Sequence, residues 1–71
     1  MENEEKRSYM RCLKYDSKFA PCHYGLYEIF HGERNEQDAV SACRNFLKYA
    51  EQSDFKHEFE TCERYVNSQS Y

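Results

Sequence analysis

Tryptophan is absent from this 71-residue sequence, proline occurs once, glycine twice, and apolar runs are only a few residues long. Each scarcity excludes a class. A membrane-spanning helix needs about 20 consecutive apolar residues, and no segment here supplies them. Loop-rich toxin and growth-factor scaffolds use far more glycine and proline, so the few present argue against them. The segment Met1-Glu-Asn-Glu-Glu-Lys-Arg-Ser8 is charged and no apolar h-region follows it, so no secretory signal peptide is expected. Cys-x-x-Cys pairs, glycine-rich phosphate loops and recognisable nucleophile signatures are missing too, and an enzyme is not expected. Ten Lys and Arg stand against thirteen Asp and Glu, giving a net charge of −3 with both signs interspersed. That balance disfavours nucleic acid or an anionic membrane as the main ligand.

What remains is helix-forming. Cys12, Tyr15, Phe19, Cys22, Leu26 and Ile29 recur at threes and fours, the spacing of one continuous helical face. A second stripe runs Ala39, Cys43, Phe46, Ala50, and a third runs Phe55, Phe59, Cys62, Val66. Gly32 is placed to end a helix, Asn35 with Asp38 to cap the next, and Ser53 with Asp54 to cap the last. Glu2 and Lys6 are spaced to support the first turn. Pro21 divides the expectations for the first half. Inside a helix it costs about 3 kcal/mol, whereas at a first helical position it is tolerated. Either one long kinked helix spans about residues 5–31, or two helices meet in a turn at Asp16 to Ala20 with Pro21 opening the second. The expected fold is all-α, a disulfide-braced helical hairpin with an additional C-terminal helix, three or four short helices in one domain over residues 1–71. Its ends, about residues 1–5 and 67–71, are expected to fray.

The four cysteines, Cys12, Cys22, Cys43 and Cys62, are the most informative residues. In a chain below about 70–80 residues a single core rarely supplies more than ~3–5 kcal/mol, so a crosslink, a metal or a partner is expected. On a straight helix Cys12 and Cys22 would lie about 15 Å apart, beyond the ~7 Å reach of a disulfide. A reversal near residues 32 and 33 brings Cys22 level with Cys43, and one near 52 and 53 brings Cys43 level with Cys62. If the chain also reverses near residue 17, Cys12 joins the same layer. Several connectivities then become feasible, local pairs and nested pairs alike. Two other fates are open to the sulfurs. They can be reduced, buried apolar groups, or zinc ligands with help from His23, His31 or His57, although tight ligand knuckles are lacking.

Cys12-Leu-Lys-Tyr-Asp-Ser-Lys-Phe-Ala-Pro-Cys22 places nine residues between two cysteines and resembles half of the twin C-x(9)-C signature of the coiled-coil-helix-coiled-coil-helix family. Tyr27-Glu-Ile-Phe-His-Gly32 and Cys43-Arg-Asn-Phe-Leu-Lys-Tyr49 resemble its aromatic-bearing hairpin, so the likeness covers about residues 9–50. The resemblance implies a helical hairpin closed by two disulfides, with Cys22 bonded to Cys43, in the mitochondrial intermembrane space. Such proteins are typically imported without a cleaved presequence, which accords with the charged N-terminus. The sequence departs from the pattern at Ser53, where a regular second half would have a cysteine; Cys62 instead follows Cys43 after eighteen residues. The outer bridge, Cys12 to Cys62, is therefore not transferred by position.

Seven tyrosines and five phenylalanines are many for so small a core, and tyrosine suits interfaces because its apolar ring carries a polar tip. Each one taken singly is expected to roof the domain's own core. Together they suggest docking onto a larger protein. With the resemblance, the expected function is that of a non-catalytic accessory subunit on the intermembrane-space side of a respiratory-chain complex, with no cofactor, metal or small-molecule substrate. The alternatives are an assembly factor or metal chaperone of the same family, and a cytosolic zinc-stabilised adaptor.

Overall fold

The structure, a computed structural model, describes residues 4–69 and contains four α-helices: α1 (Glu4–Tyr15), α2 (Ala20–Gly32), α3 (Glu36–Tyr49) and α4 (Lys56–Ser68). No strand occurs among the described residues, and the fold is all-α. None of the helices is long and apolar enough to cross a membrane. Of the segments expected to fray, Glu4 and Glu5 open α1 and Asn67 and Ser68 close α4, while residues 1–3, 70 and 71 lie outside the described residues.

Pro21 opens a helix here. It sits in the first turn of α2, where its missing N–H leaves no intrahelical bond unmade. The preceding residues turn: Asp16 Oδ1 accepts the Lys18 N–H at 3.2 Å, and the Phe19 N–H bonds the Asp16 carbonyl at 3.1 Å. That turn overturns the expectation of one uninterrupted apolar face through Tyr15 and Phe19. Tyr15 is 84 % exposed and Phe19 47 % exposed, because the reversal at residues 16–19 swings them away from the core.

The helices pack in chain order. α2 lies most extensively against α3, with α1 on α2 and α4 on α3. Between them Leu26, Tyr27, Ala39, Ala42, Cys43, Phe46 and Cys62 form the buried core, with Phe46, Cys43 and Cys62 the largest side chains fully enclosed. The second and third apolar stripes face inward as their spacing requires, joined by Ala42 and by Tyr65, which packs against the core from α4. α1 is the peripheral element: none of its residues is fully buried, and Tyr9 and Leu13 hold it to the rest.

α2 ends at Gly32 as expected, but the glycine itself stays helical and the left-handed position of the ending falls on Arg34 at φ 61°. The Asn35 N–H bonds the Phe30 carbonyl at 2.9 Å and the Arg34 N–H bonds that of His31 at 3.1 Å, the paired bonds of a Schellman ending. Asn35 then caps α3 as expected, its side chain accepting the Asp38 N–H at 3.3 Å and donating to the Asp38 carboxylate at 2.7 Å. At α4 the capping position is Phe55, without a side-chain cap, instead of Ser53 or Asp54. The Phe55 ring sets this boundary by packing edge-on to Phe46 at 5.7 Å, so the chain turns until that ring reaches the core.

Candidate functional site

All four cysteines are bonded, in local pairs. Cys12 joins Cys22 with Cα atoms 6.5 Å apart, and Cys43 joins Cys62 at 5.1 Å. The first bridge locks α1 to α2 across the turn at residues 16–19, and the second locks α3 to α4 across the turn at residues 50–55. Neither spans the α2–α3 hairpin. The Cys22–Cys43 bond implied by the family pattern is therefore corrected: with the chain reversing at residues 16–19, Cys12 reaches Cys22 before any other sulfur. The α2–α3 hairpin is held by packing of Leu26, Tyr27, Ala39, Ala42 and Phe46 instead of by sulfur.

The same geometry disposes the zinc candidates. His23 is 7 % exposed, its Nε2 lies 2.8 Å from the Ser17 carbonyl, and its ring stacks on Tyr49 at 5.8 Å. The Nε2–H donates to that carbonyl and ties α2 to the turn before it. His31 is exposed beside the Tyr27 and Tyr65 rings at 5.7 and 5.4 Å, and His57 stands in the first turn of α4. With the thiols oxidised, no group of three or more potential ligands converges among the described residues.

The aromatics divide into an interior network and an exposed pair. Tyr24 packs on Tyr27 and Phe46 at 5.5 and 5.2 Å, and Tyr27 meets the Tyr65 ring edge-on at 5.1 Å, which connects α2, α3 and α4. Burial raises the Tyr24, Tyr27 and Tyr65 phenols above their ordinary value of 10.0; the Glu28 carboxylate adds to the rise at Tyr24 and Tyr27, and that of Glu36 at Tyr65. The Tyr65 hydroxyl is buried without a hydrogen-bond partner among the described residues. Tyr9, Phe30, Tyr49, Phe55 and Phe59 are partly buried against the same core. The helices thus hide more of their aromatic surface than residue counts alone suggest. Among the described residues, Tyr15 and Phe19, with Met10 at 48 % exposure, are the large apolar side chains left outside.

Tyr15, the last residue of α1, and Phe19, the residue before α2, flank the turn closed by the Cys12–Cys22 bridge, and Met10 lies farther back, midway along α1. Arg11, Lys14 and Lys18 are exposed in the same segment, and on the helix Arg11 lies one turn before Tyr15. At the other end of α1, Lys6 pairs with Glu33 at 2.8 Å and lies over the Phe30 ring at 5.2 Å, fastening the helix to α2. The spacing of threes and fours places Tyr15 and Phe19 on one apolar face and does not include Met10. Three cations bordering Tyr15 and Phe19 were the available sign that this stretch faces water.

Comparison with protein-family models, curated proteins and solved structures finds no match to this chain. The four-helix, two-disulfide arrangement is compatible with a coiled-coil-helix-coiled-coil-helix type of fold.

Proposed function

We propose that the protein is a non-catalytic structural subunit that docks onto a larger protein complex. The observation carrying this is the 84 % exposure of Tyr15 beside exposed Phe19, on a corner pinned by the Cys12–Cys22 disulfide. A large aromatic ring held in water on a crosslinked turn has already lost part of the conformational freedom that binding would otherwise remove, which favours an interface role. The finer assignment is to an accessory subunit on the intermembrane-space side of a respiratory-chain complex. It rests on the Cys12-x(9)-Cys22 resemblance, supported by the all-helical architecture and by bridges that require an oxidising compartment. The local pairing of those bridges distinguishes this chain from a hairpin closed by sulfur.

Two measurements test the proposal. Intact mass of protein purified without reductant should be four hydrogens below the reduced mass, with no alkylation after denaturation. In fractionated mitochondria the protein should be protected until the outer membrane is opened, and it should co-migrate stoichiometrically with a mature respiratory complex on native gels. Four alkylated cysteines, or a cytosolic location, would remove the assignment. Transient association with precursors only would convert it to an assembly factor.

A further inference from the structure

The exposed corner at residues 10–19 differs from the rest of the chain in charge as well as in apolarity. It carries Arg11, Lys14 and Lys18 against the single carboxylate of Asp16, in a protein whose overall charge is −3. Asp16 is engaged in its own turn through the Lys18 N–H. No ion pair among the described residues involves Arg11, Lys14 or Lys18. We infer that this corner is the docking face and that its partner is a protein surface presenting carboxylates around an apolar pocket that receives Tyr15 and Phe19. The inference rests on the docking function proposed above and adds the face and the partner's chemistry.

Complementarity decides the partner. An apolar pair bordered by cations meets like-charge repulsion on any basic surface, whereas carboxylates facing Arg11, Lys14 and Lys18 steer the encounter and fix its register. Two exposed aromatic side chains with exposed cations next to them in the chain supply the aromatic anchors and the charged residues that protein interfaces combine. A lipid bilayer is the less suited occupant. Binding in the interfacial plane needs a broad apolar helix face, and here α1 turns its apolar Tyr9 and Leu13 inward against the core, leaving a few side chains at one end. The acidic remainder of the chain would also be repelled by anionic lipid.

The test is site-specific photocrosslinking in the native cell, with p-benzoylphenylalanine replacing Tyr15 and, as a control, exposed Glu60 on α4. The Tyr15 position should yield one dominant adduct to a protein peptide bearing two or more Asp or Glu residues, and Glu60 should not yield it. Reversing the rim with R11E, K14E and K18E together should lower that adduct at least about tenfold, as should raised salt. Helix content and both bridges should persist, which excludes misfolding as the cause. A lipid adduct, a protein adduct lacking carboxylates, or one indifferent to charge reversal would overturn the inference. So would adducts from Glu60 alone alongside intact co-migration with a complex, which would leave the docking function standing and move the face. Loss of co-migration in the unmodified protein would overturn both.

Discussion

At the scale of single residues, Gly25 shows how a poor helix former can be a packing requirement. It lies in the interior of α2, where glycine is less favourable than alanine by about 1 kcal/mol. The Tyr9 ring of α1 occupies the space a Cβ would fill, inside van der Waals contact of three of its atoms. Gly25→Ala should therefore destabilise by about 1–3 kcal/mol despite the better propensity, because the ring that holds α1 must move. In a Tyr9→Ala background the same change should become neutral or stabilising, and chemical denaturation of the four proteins of that cycle checks it. Additive effects would show that Tyr9 and Gly25 do not oppose one another. The buried phenols give a second residue-scale expectation. For Tyr24, Tyr27 and Tyr65 the folded state holds the proton to higher pH than the unfolded chain does. Between the unfolded value near 10 and the raised folded value, the unfolded state binds fewer protons, so stability falls as pH rises. The contribution is complete below pH 10 and is lost as pH passes through the folded values. Denaturation midpoints should drop above pH 10, and Tyr65→Phe should lessen the drop at little cost, since its hydroxyl has no partner to lose. A drop unchanged in the variant would place the linkage elsewhere.

Among the helices, the boundary between α2 and α3 is where local chemistry and fold disagree. The Schellman ending needs a left-handed residue, glycine is the usual occupant, and the chain places Gly32 two positions too early. Arg34 takes the strain of φ 61°, about 1–2 kcal/mol for a residue with a Cβ. Arg34→Gly should raise stability by up to about 1 kcal/mol after the entropy glycine loses on folding, measurable as an upward shift in thermal midpoint. A downward shift would mean that the arginine side chain contributes more than its backbone costs. The same boundary shows what was legible beforehand. Asn35 and Asp38 announced the start of α3 because a cap is a local device, written in two side chains. The stripes of α3 and α4 were legible because periodicity survives any rotation of neighbouring elements. The apparent stripe through Tyr15 and Phe19 misled because periodicity assumes an unbroken axis, and Asp16 and Ser17 break it. The start of α4 departs from its local signal for a related reason: Ser53 and Asp54 have the chemistry of a cap, but the Phe55 ring packs on Phe46, a contact no local rule contains. Disulfide partners lay further out of reach, since they depend on where the turns fall.

For the whole molecule, two bridges of unequal accessibility fasten the outer helices to a central pair that sulfur does not join. Cys43 and Cys62 are fully enclosed, whereas Cys22 keeps 7 % exposure and Cys12 is only partly buried. Thiolate attack requires access to a sulfur, so under mild reductant Cys12–Cys22 should open first and free α1 while α2, α3 and α4 stay packed. Timed alkylation with peptide mapping should show Cys12 and Cys22 labelled together, ahead of Cys43 and Cys62. Simultaneous labelling would mean that the four helices open as one unit. The bridges close sequence separations of 10 and 19 residues, and by loop-closure entropy each contributes about 3 kcal/mol. A core of this size supplies about 3–5 kcal/mol, so the protein should survive loss of either bridge alone with a lowered thermal midpoint. Replacing Cys12 and Cys22 by serine should cost the less, because the sites face solvent in part. Replacing Cys43 and Cys62 should cost more than loop entropy alone, because two hydroxyls then enter the enclosed centre beside Phe46. With all four replaced, circular dichroism should show the helices largely unfolded in the isolated chain. Retained cooperative melting in that variant would show that packing between α2 and α3 is sufficient on its own.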